Sequence, residues 1–194
     1  MSRRRLALAS IAVVTVLAVV GVSVLAVAAG GSALAYEVNG SRVSQTDFDS
    51  LLHEIADTKG VTSATQPEGS LGSGVTATVL NVSILRAILR DVSADRNVKV
   101  TDADRQAGES TAKSQISNFD QAPAGYRKLV TDLFAYANAL GLSDANALNT
   151  FLTKQALKAD VYVNPRYGSW HPRAGGVCPP TGCASATQSS GSSG

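Results

Sequence analysis

The sequence predicts a mainly α fold: about five helices closed by a small antiparallel sheet drawn from the two ends of one exported domain, with a separate apolar helix ahead of it. Three observations predict it. Apolar residues recur at helical spacing through most of the chain between residues 44 and 156. Two strand-like stretches, "YEVNGSRVSQ" (Tyr36–Gln45) and "VYVNPRYGSW" (Val161–Trp170), bracket that helical run. The chain opens with Arg3, Arg4 and Arg5, followed by the uncharged run from Leu6 to Ala29.

That first run would make a helix about 36 Å long, enough for a hydrocarbon core of about 30 Å. It is longer than the apolar part of an ordinary signal peptide, about 7–15 residues. Ala33-Leu34-Ala35 then supplies an A-x-A cleavage pattern just before Tyr36. Residues 1–35 therefore read either as a signal anchor held in the plasma membrane through residues 6–29, or as a signal peptide removed near Ala35. Both place Tyr36 onward outside the cytoplasm, because the arginines stay inside. "SRRRL" echoes a twin-arginine signal, but so apolar a run argues for the ordinary export route. No cysteine stands near the cleavage point to carry a lipid.

From Tyr36 the first element is a hairpin, with Asn39-Gly40 as the type I′ turn pair between Val38 and Val43. Ser44 caps a helix with Asp47 at the third position, and Val43 and Phe48 form a hydrophobic staple. Phe48, Leu51, Leu52 and Ile55 share one face; Asp47, Asp49 and Glu54 read as the solvated one. "KGVTSATQPEGSLGSG" (residues 59–74) is a loop that is long by normal standards. The run from Val75 to Asn97 is the longest helix of the domain, apolar on more than one face and hence central. Thr101 caps the next helix, Asp102 to about Asn118, with Asp104 as its partner. Its apolar stripe of Ala103, Ala107 and Ile116 is weak, so it is expected edge-on or mobile. Pro123 opens a helix carrying Leu129, Val130, Leu133, Phe134, Ala137 and Leu140. Gly141 ends it and Ser143 caps the last, with Ala147, Leu148, Phe151, Leu152 and Ala156 inward. Val161-Tyr162-Val163 is then the third strand, expected beside the Tyr36–Val43 hairpin, because a lone hairpin is marginal in water. Pro165 ends that strand.

Residues 36–175 thus form one domain, and 176–194 a flexible tail rich in Pro, Gly and Ser. Aromatics are 5% and charged residues 16% of the 194 residues, so the core is built of Leu, Val, Ile and Ala. Taking Arg3, Arg4 and Arg5 from the 17 basic residues leaves 14 against 15 acidic ones. That gives no electrostatic case for nucleic acid. Cys178 and Cys183 bracket "PPTG", too far apart for a C-x-x-C redox pair. Outside the cytoplasm they are expected to form a disulfide contributing on the order of 2 kcal/mol. His53 and His171 stand at no zinc-ligand spacing from them, so no metal and no cofactor is expected.

"VNGSRVSQTDFDSLL" resembles the opening of the SurA amino-terminal domain of extracytoplasmic chaperones and parvulin-type isomerases, through Val38, Asn39, Gly40, Val43, Ser44, Asp47 and Phe48. "NVKVTDAD" (Asn97–Asp104) is similar to a link that recurs between helices in that family. "VNPRYGSW" (Val163–Trp170) is similar to the closing segment of actinobacterial members. The likeness covers roughly Tyr36 to Gly175. It implies an extracytoplasmic, non-catalytic module that binds unfolded or exported polypeptides. In the family's isomerases a separate parvulin domain carries catalysis; no room for one remains here, so no isomerase activity and no catalytic residue is expected.

The physics of such binding is a shallow apolar groove between helices, with free backbone at a sheet edge. Phe119, Tyr126, Phe134 and Tyr136 are candidates for the groove, Phe134 more simply as core. "VYVNPRYGSW" reads first as the piece that closes the fold, with Tyr167 and Trp170 lying back over the helices; the alternative makes Tyr167 and Trp170 an aromatic platform for peptide, with Arg166 as donor. The alternatives are a peptidyl-prolyl isomerase by family membership and a membrane-held protein with one dedicated partner. No G-x-S-x-G, H-E-x-x-H, P-loop or G-x-G-x-x-G occurs, so a hydrolase or a small-molecule substrate is not expected.

Overall fold

The computed structural model describes residues 33–57, 71, 73–174 and 176–180. The expected export segment, most of the 59–74 loop and Cys183 lie outside them. The chain divides into Met1–Ala33 and Leu34–Gly194, and the fold below is that of the second unit. Among the described residues it comprises five α-helices and two small antiparallel sheets. No helix among them is long and apolar enough to cross a membrane.

Strands β1 (Leu34–Val38) and β2 (Ser41–Ser44) are joined by Asn39 and Gly40, at φ 47° and 82°. Both lie in the left-handed region that a type I′ turn demands, which is why Asn-Gly stands there. Strand β3 (Val161–Val163) lies antiparallel on the other side of β1, pairing Tyr36 with Val163, Glu37 with Tyr162 and Val38 with Val161. The order is β2-β1-β3, so the two strand-like stretches of the sequence are neighbours in space. Asn39 ties them further. Its N–H donates to the Asp160 carbonyl at 2.8 Å, and its side-chain oxygen accepts from the Asp160 N–H at 3.0 Å. Two boundaries differ from expectation. β1 starts at Leu34, ahead of Tyr36. Strands β4 (Ser169–His171) and β5 (Gly176–Cys178) form a second pair, so the expected tail enters the fold. The buried Cys178 and Gly176 draw it in.

Helix α1 (Gln45–Ala56) is capped by Ser44, whose hydroxyl accepts from the Asp47 N–H at 3.1 Å. Helix α2 (Ser73–Asp95) starts earlier than Val75 and stops short of Asn97. Asn97 takes φ 54°, and the Val98 N–H reaches back to the Ser93 carbonyl at 2.8 Å. That is a Schellman ending with asparagine in the glycine position. Leu80, Ile84, Ile88 and Leu89 of α2 are fully buried, as its all-round apolar pattern implies. Helix α3 (Asp102–Gln115) carries the complete Thr101–Asp104 capping box. Helix α4 (Ala124–Ala139) ends in a second Schellman motif, with Gly141 at φ 74° and the Leu142 N–H on the Ala137 carbonyl at 2.8 Å. Helix α5 (Ala145–Ala156) is capped by Asp144, one residue after the expected Ser143. Ala147, expected inward, is exposed.

Three apolar clusters meet on α2. The largest joins β1, β3, α1 and α2 around Val38, Phe48, Leu80 and Ile84. A second gathers Leu89, Leu133 and Ala137 under Leu148, Phe151 and Leu152 of α5. The third holds Ala112, Phe119 and Val130 between α3 and α4. Here lies the main departure from the sequence reading: α3 is packed against α4, not edge-on. Its inner face is Gly108 and Ala112, while Ala103 and Ala107 are exposed.

Candidate functional site

Three elements converge at one end of α2. Ile55 closes α1; Val75, Thr78 and Val79 lie on the first turns of α2; Ile116–Asn118 is the turn after α3. That turn is held from below. Asn118 is left-handed at φ 60°, and the 3-10 turn Phe119–Gln121 that follows drives Phe119 into the α3–α4 core. The start of α4 is fixed from outside itself. Pro123 offers no side-chain cap, and a Glu54 oxygen of α1 accepts from the Gly125 N–H at 3.0 Å. A carboxylate at a helix N-terminus complements both the free N–H groups and the dipole. Glu54 is exposed, as expected of the solvated face, and from there it also holds α4 against α1.

Between these elements lies a cavity of about 380 Å³, lined by Ile55, Val75, Val79, Ile116, Ala122 and Tyr126, with Thr78, Ser117 and Asn118 at its polar margin. Among the described residues, no charged side chain lines it. Tyr126 is a half-buried wall of this cavity, and burial pushes its phenol above the ordinary value. The groove takes an apolar side chain or short apolar segment, with backbone and hydroxyl groups at the rim for hydrogen bonds. Among the described residues that line it there is no His, Cys, Asp, Glu, Lys or Arg. A second cavity, about 440 Å³, is lined by Asn39, Asp91, Asp95, Gln155 and Lys158 together with Ile88, Val92, Ala94 and Ala159. A third, about 230 Å³, lies between α4 and α5 beside Phe134, Leu148 and Leu152. Among the described residues, no group of three or more His, Cys, Asp or Glu is placed to hold a metal.

The structure separates the residues the sequence singles out. Tyr126 lines the apolar groove. Phe119 and Tyr167, expected as peptide contacts, are each 3% exposed and belong to the interior. The Tyr167 ring packs edge-on against Phe48 at 5.0 Å, and its hydroxyl donates to Asp49 at 2.7 Å. Asp49 too was expected to face solvent; it also meets Arg166 at 3.5 Å. Trp170 is half-buried on β4 against the largest cluster, and Tyr136 rests on the α4–α5 cluster, away from the groove. Cys178 is buried in β5 and is not a free thiol, while Cys183 lies outside the described residues. Sequence reasoning missed Val75 and Ile55 as groove residues. Both sit on apolar stripes and look like plain core; only the free space beside them marks the site.

No family model, no curated protein and no solved structure matches the chain. The functional reading therefore rests on the residues and the geometry.

Proposed function

We propose that this chain is a non-catalytic, extracytoplasmic module of the SurA amino-terminal type that binds unfolded or newly exported polypeptides. The observation that carries the reading is the apolar groove beside Tyr126, which no charged side chain lines among the described residues. Apolar binding is non-directional, so such a groove accepts many apolar segments and selects none by charge. Among the described residues β2 and β3 are the edge strands of the three-stranded sheet, and an extended client can pair with such edges. The likeness of "VNGSRVSQTDFDSLL" to that family agrees with this reading, as does an apolar leader ahead of the domain.

The test is suppression of aggregation for several unrelated unfolded proteins by the chain from Ser32 onward. We expect protection of all of them at near-stoichiometric ratios. Val75→Glu, which places a charge in the groove, should weaken protection about tenfold or more, since an unpaired charge opposes an apolar client. Protection of one client alone would turn the reading toward a dedicated partner protein. Acceleration of proline isomerisation in a model peptide by the same sample would turn it toward an isomerase.

A further inference from the structure

Two residues of the A-x-A pattern at Ala33-Leu34-Ala35, Leu34 and Ala35, are part of strand β1. Ala35 is 0% exposed and Tyr36, on the far side of the bond in question, is 5% exposed. Leu34 pairs with Ser44, the residue that caps α1. One residue from the far end of the domain grips both carbonyls. The Asn164 side-chain amide donates to the Leu34 carbonyl at 2.8 Å, and the Asn164 N–H donates to the Ala35 carbonyl at 2.9 Å. The remaining oxygen of Asn164 accepts from the Arg166 N–H at 3.0 Å, which orients the amide. This clamp is a large part of what "VNPRYGSW" does.

We propose that the Ala35–Tyr36 bond is not the processing point of this chain, and that the working protein keeps Leu34 and Ala35 as the first residues of its central strand. Cleavage there would strip Asn164 of two acceptors. It would also set a new α-ammonium, charged at neutral pH, on a buried position in the middle strand of the sheet. The alanine at 35 is accounted for by packing, being fully enclosed in the largest apolar cluster. The cellular arm below assumes export, as the functional reading does; the proteolysis arm does not.

The test uses the full chain in an exporting host, with intact-mass analysis of the product. It compares the wild type with Ala33→Glu, which destroys the A-x-A pattern at an exposed position. We expect both products to contain Leu34 and Ala35, with identical processing. A wild-type product that begins at Tyr36, lengthened by Ala33→Glu, overturns the proposal. Protease added to intact spheroplasts reports export separately; if the chain is not reached, the export reading fails and the second arm decides. There the folded full chain in detergent meets elastase, which cuts after small residues. Proteolysis of a folded site tracks the population of its open form. We expect no cut after Ala35 in the wild type and cleavage about tenfold faster or more in Asn164→Ala, which loses one of the two clamp donors. A rapid cut after Ala35 in the folded wild type overturns the proposal, whether or not Asn164→Ala folds.

Discussion

Two helix contacts in this domain are built on opposite principles. Against the sheet, α1 is held by large side chains. Tyr36, Phe48 and Tyr167 stack edge-to-face in a row, with ring centroids 5.9 and 5.0 Å apart, and Tyr167 closes on Asp49 at the end of it. Where Gly108 of α3 faces α4 the side chain vanishes, beside a core of Ala112, Phe119 and Val130. At Gly108 an added Cβ would stand 2.7 Å from the Ala135 nitrogen and 2.8 Å from the Thr131 carbonyl, so backbone meets backbone. Ala112 continues that face at 0% exposed. The first contact draws its energy from area removed from water and from aromatic geometry. The second draws it from close packing over a short distance. The aromatic row stands where β1 and β3 meet, whereas the α3–α4 side adds a glycine contact to a cluster holding Phe119, Tyr126 and Phe134.

The largest expected effect breaks the first contact. Phe48→Ala removes the middle ring of the row at a site 2% exposed. A loss of about 3–5 kcal/mol follows from truncating a buried aromatic in a packed core. That is a large share of the stability of any small domain. Urea unfolding followed by circular dichroism measures it. A loss under about 1 kcal/mol would mean that the sheet and its clamps, not the rings, hold α1.

The first contact was legible in the sequence and the second was not, and the reason is physical. Phe48, Leu51, Leu52 and Ile55 announce a helix face because apolar side chains at i, i+3, i+4 and i+7 have one place to go. Asn39-Gly40, Ser44 and Thr101 announce their turns and caps because few residues suit those backbone angles and hydrogen bonds. Pairing of Val38 with Val161 followed from the instability of a hairpin alone. On α3 the signal is a missing side chain. Gly108 reads as a weak point of a polar helix until Thr131 and Ala135 are seen above it. Periodicity counted Ala103 and Ala107, the wrong side of the helix, because alanine is at home on either face. The groove was half legible. Tyr126 was among the candidates for a groove, but the space beside it depends on where Ile116 and Val75 end up across the domain. Nothing in local spacing encodes that.

An alkaline titration sharpens the comparison from the polar end of the aromatic row. Tyr167 is pushed up to about 12, first by burial and then by its hydrogen bond to Asp49 and that carboxylate's charge. Its unfolded value is near 10. The folded chain therefore holds the phenol proton where the unfolded chain has lost it. The contribution is full below about pH 10 and falls away as pH rises toward about 12, a loss of about 2–3 kcal/mol in all. Urea midpoints between pH 9 and pH 11 should fall, and fall less steeply in Tyr167→Phe. The slope persists in part in that variant, because burial also raises Tyr36 and Tyr126. Parallel slopes in the two proteins would place Tyr167 outside the folding transition.

Gly108→Ala tests the second contact, and its sign decides the matter. In an exposed helix, replacing glycine with alanine stabilises by about 1 kcal/mol, because alanine loses less backbone entropy on folding. Here the new methyl meets main-chain atoms of α4 that cannot rotate away. Relieving the clash means moving α3 as a body, which loosens Ala112 against Val130 as well. Overpacking of this kind costs about 1–3 kcal/mol, so the propensity gain is outweighed and a net loss of about 1–2 kcal/mol is expected. Exposed Ala107 on the same helix is the control, since Ala107→Gly should cost about 1 kcal/mol from propensity alone. The two substitutions are chemical opposites one residue apart, and both are expected to destabilise. Only a helix whose two faces differ in distance to a neighbouring backbone gives that result. If Gly108→Ala instead raises the urea midpoint, α3 stands far enough from α4 for a methyl group to fit, and the close-contact account of this side of the domain is wrong.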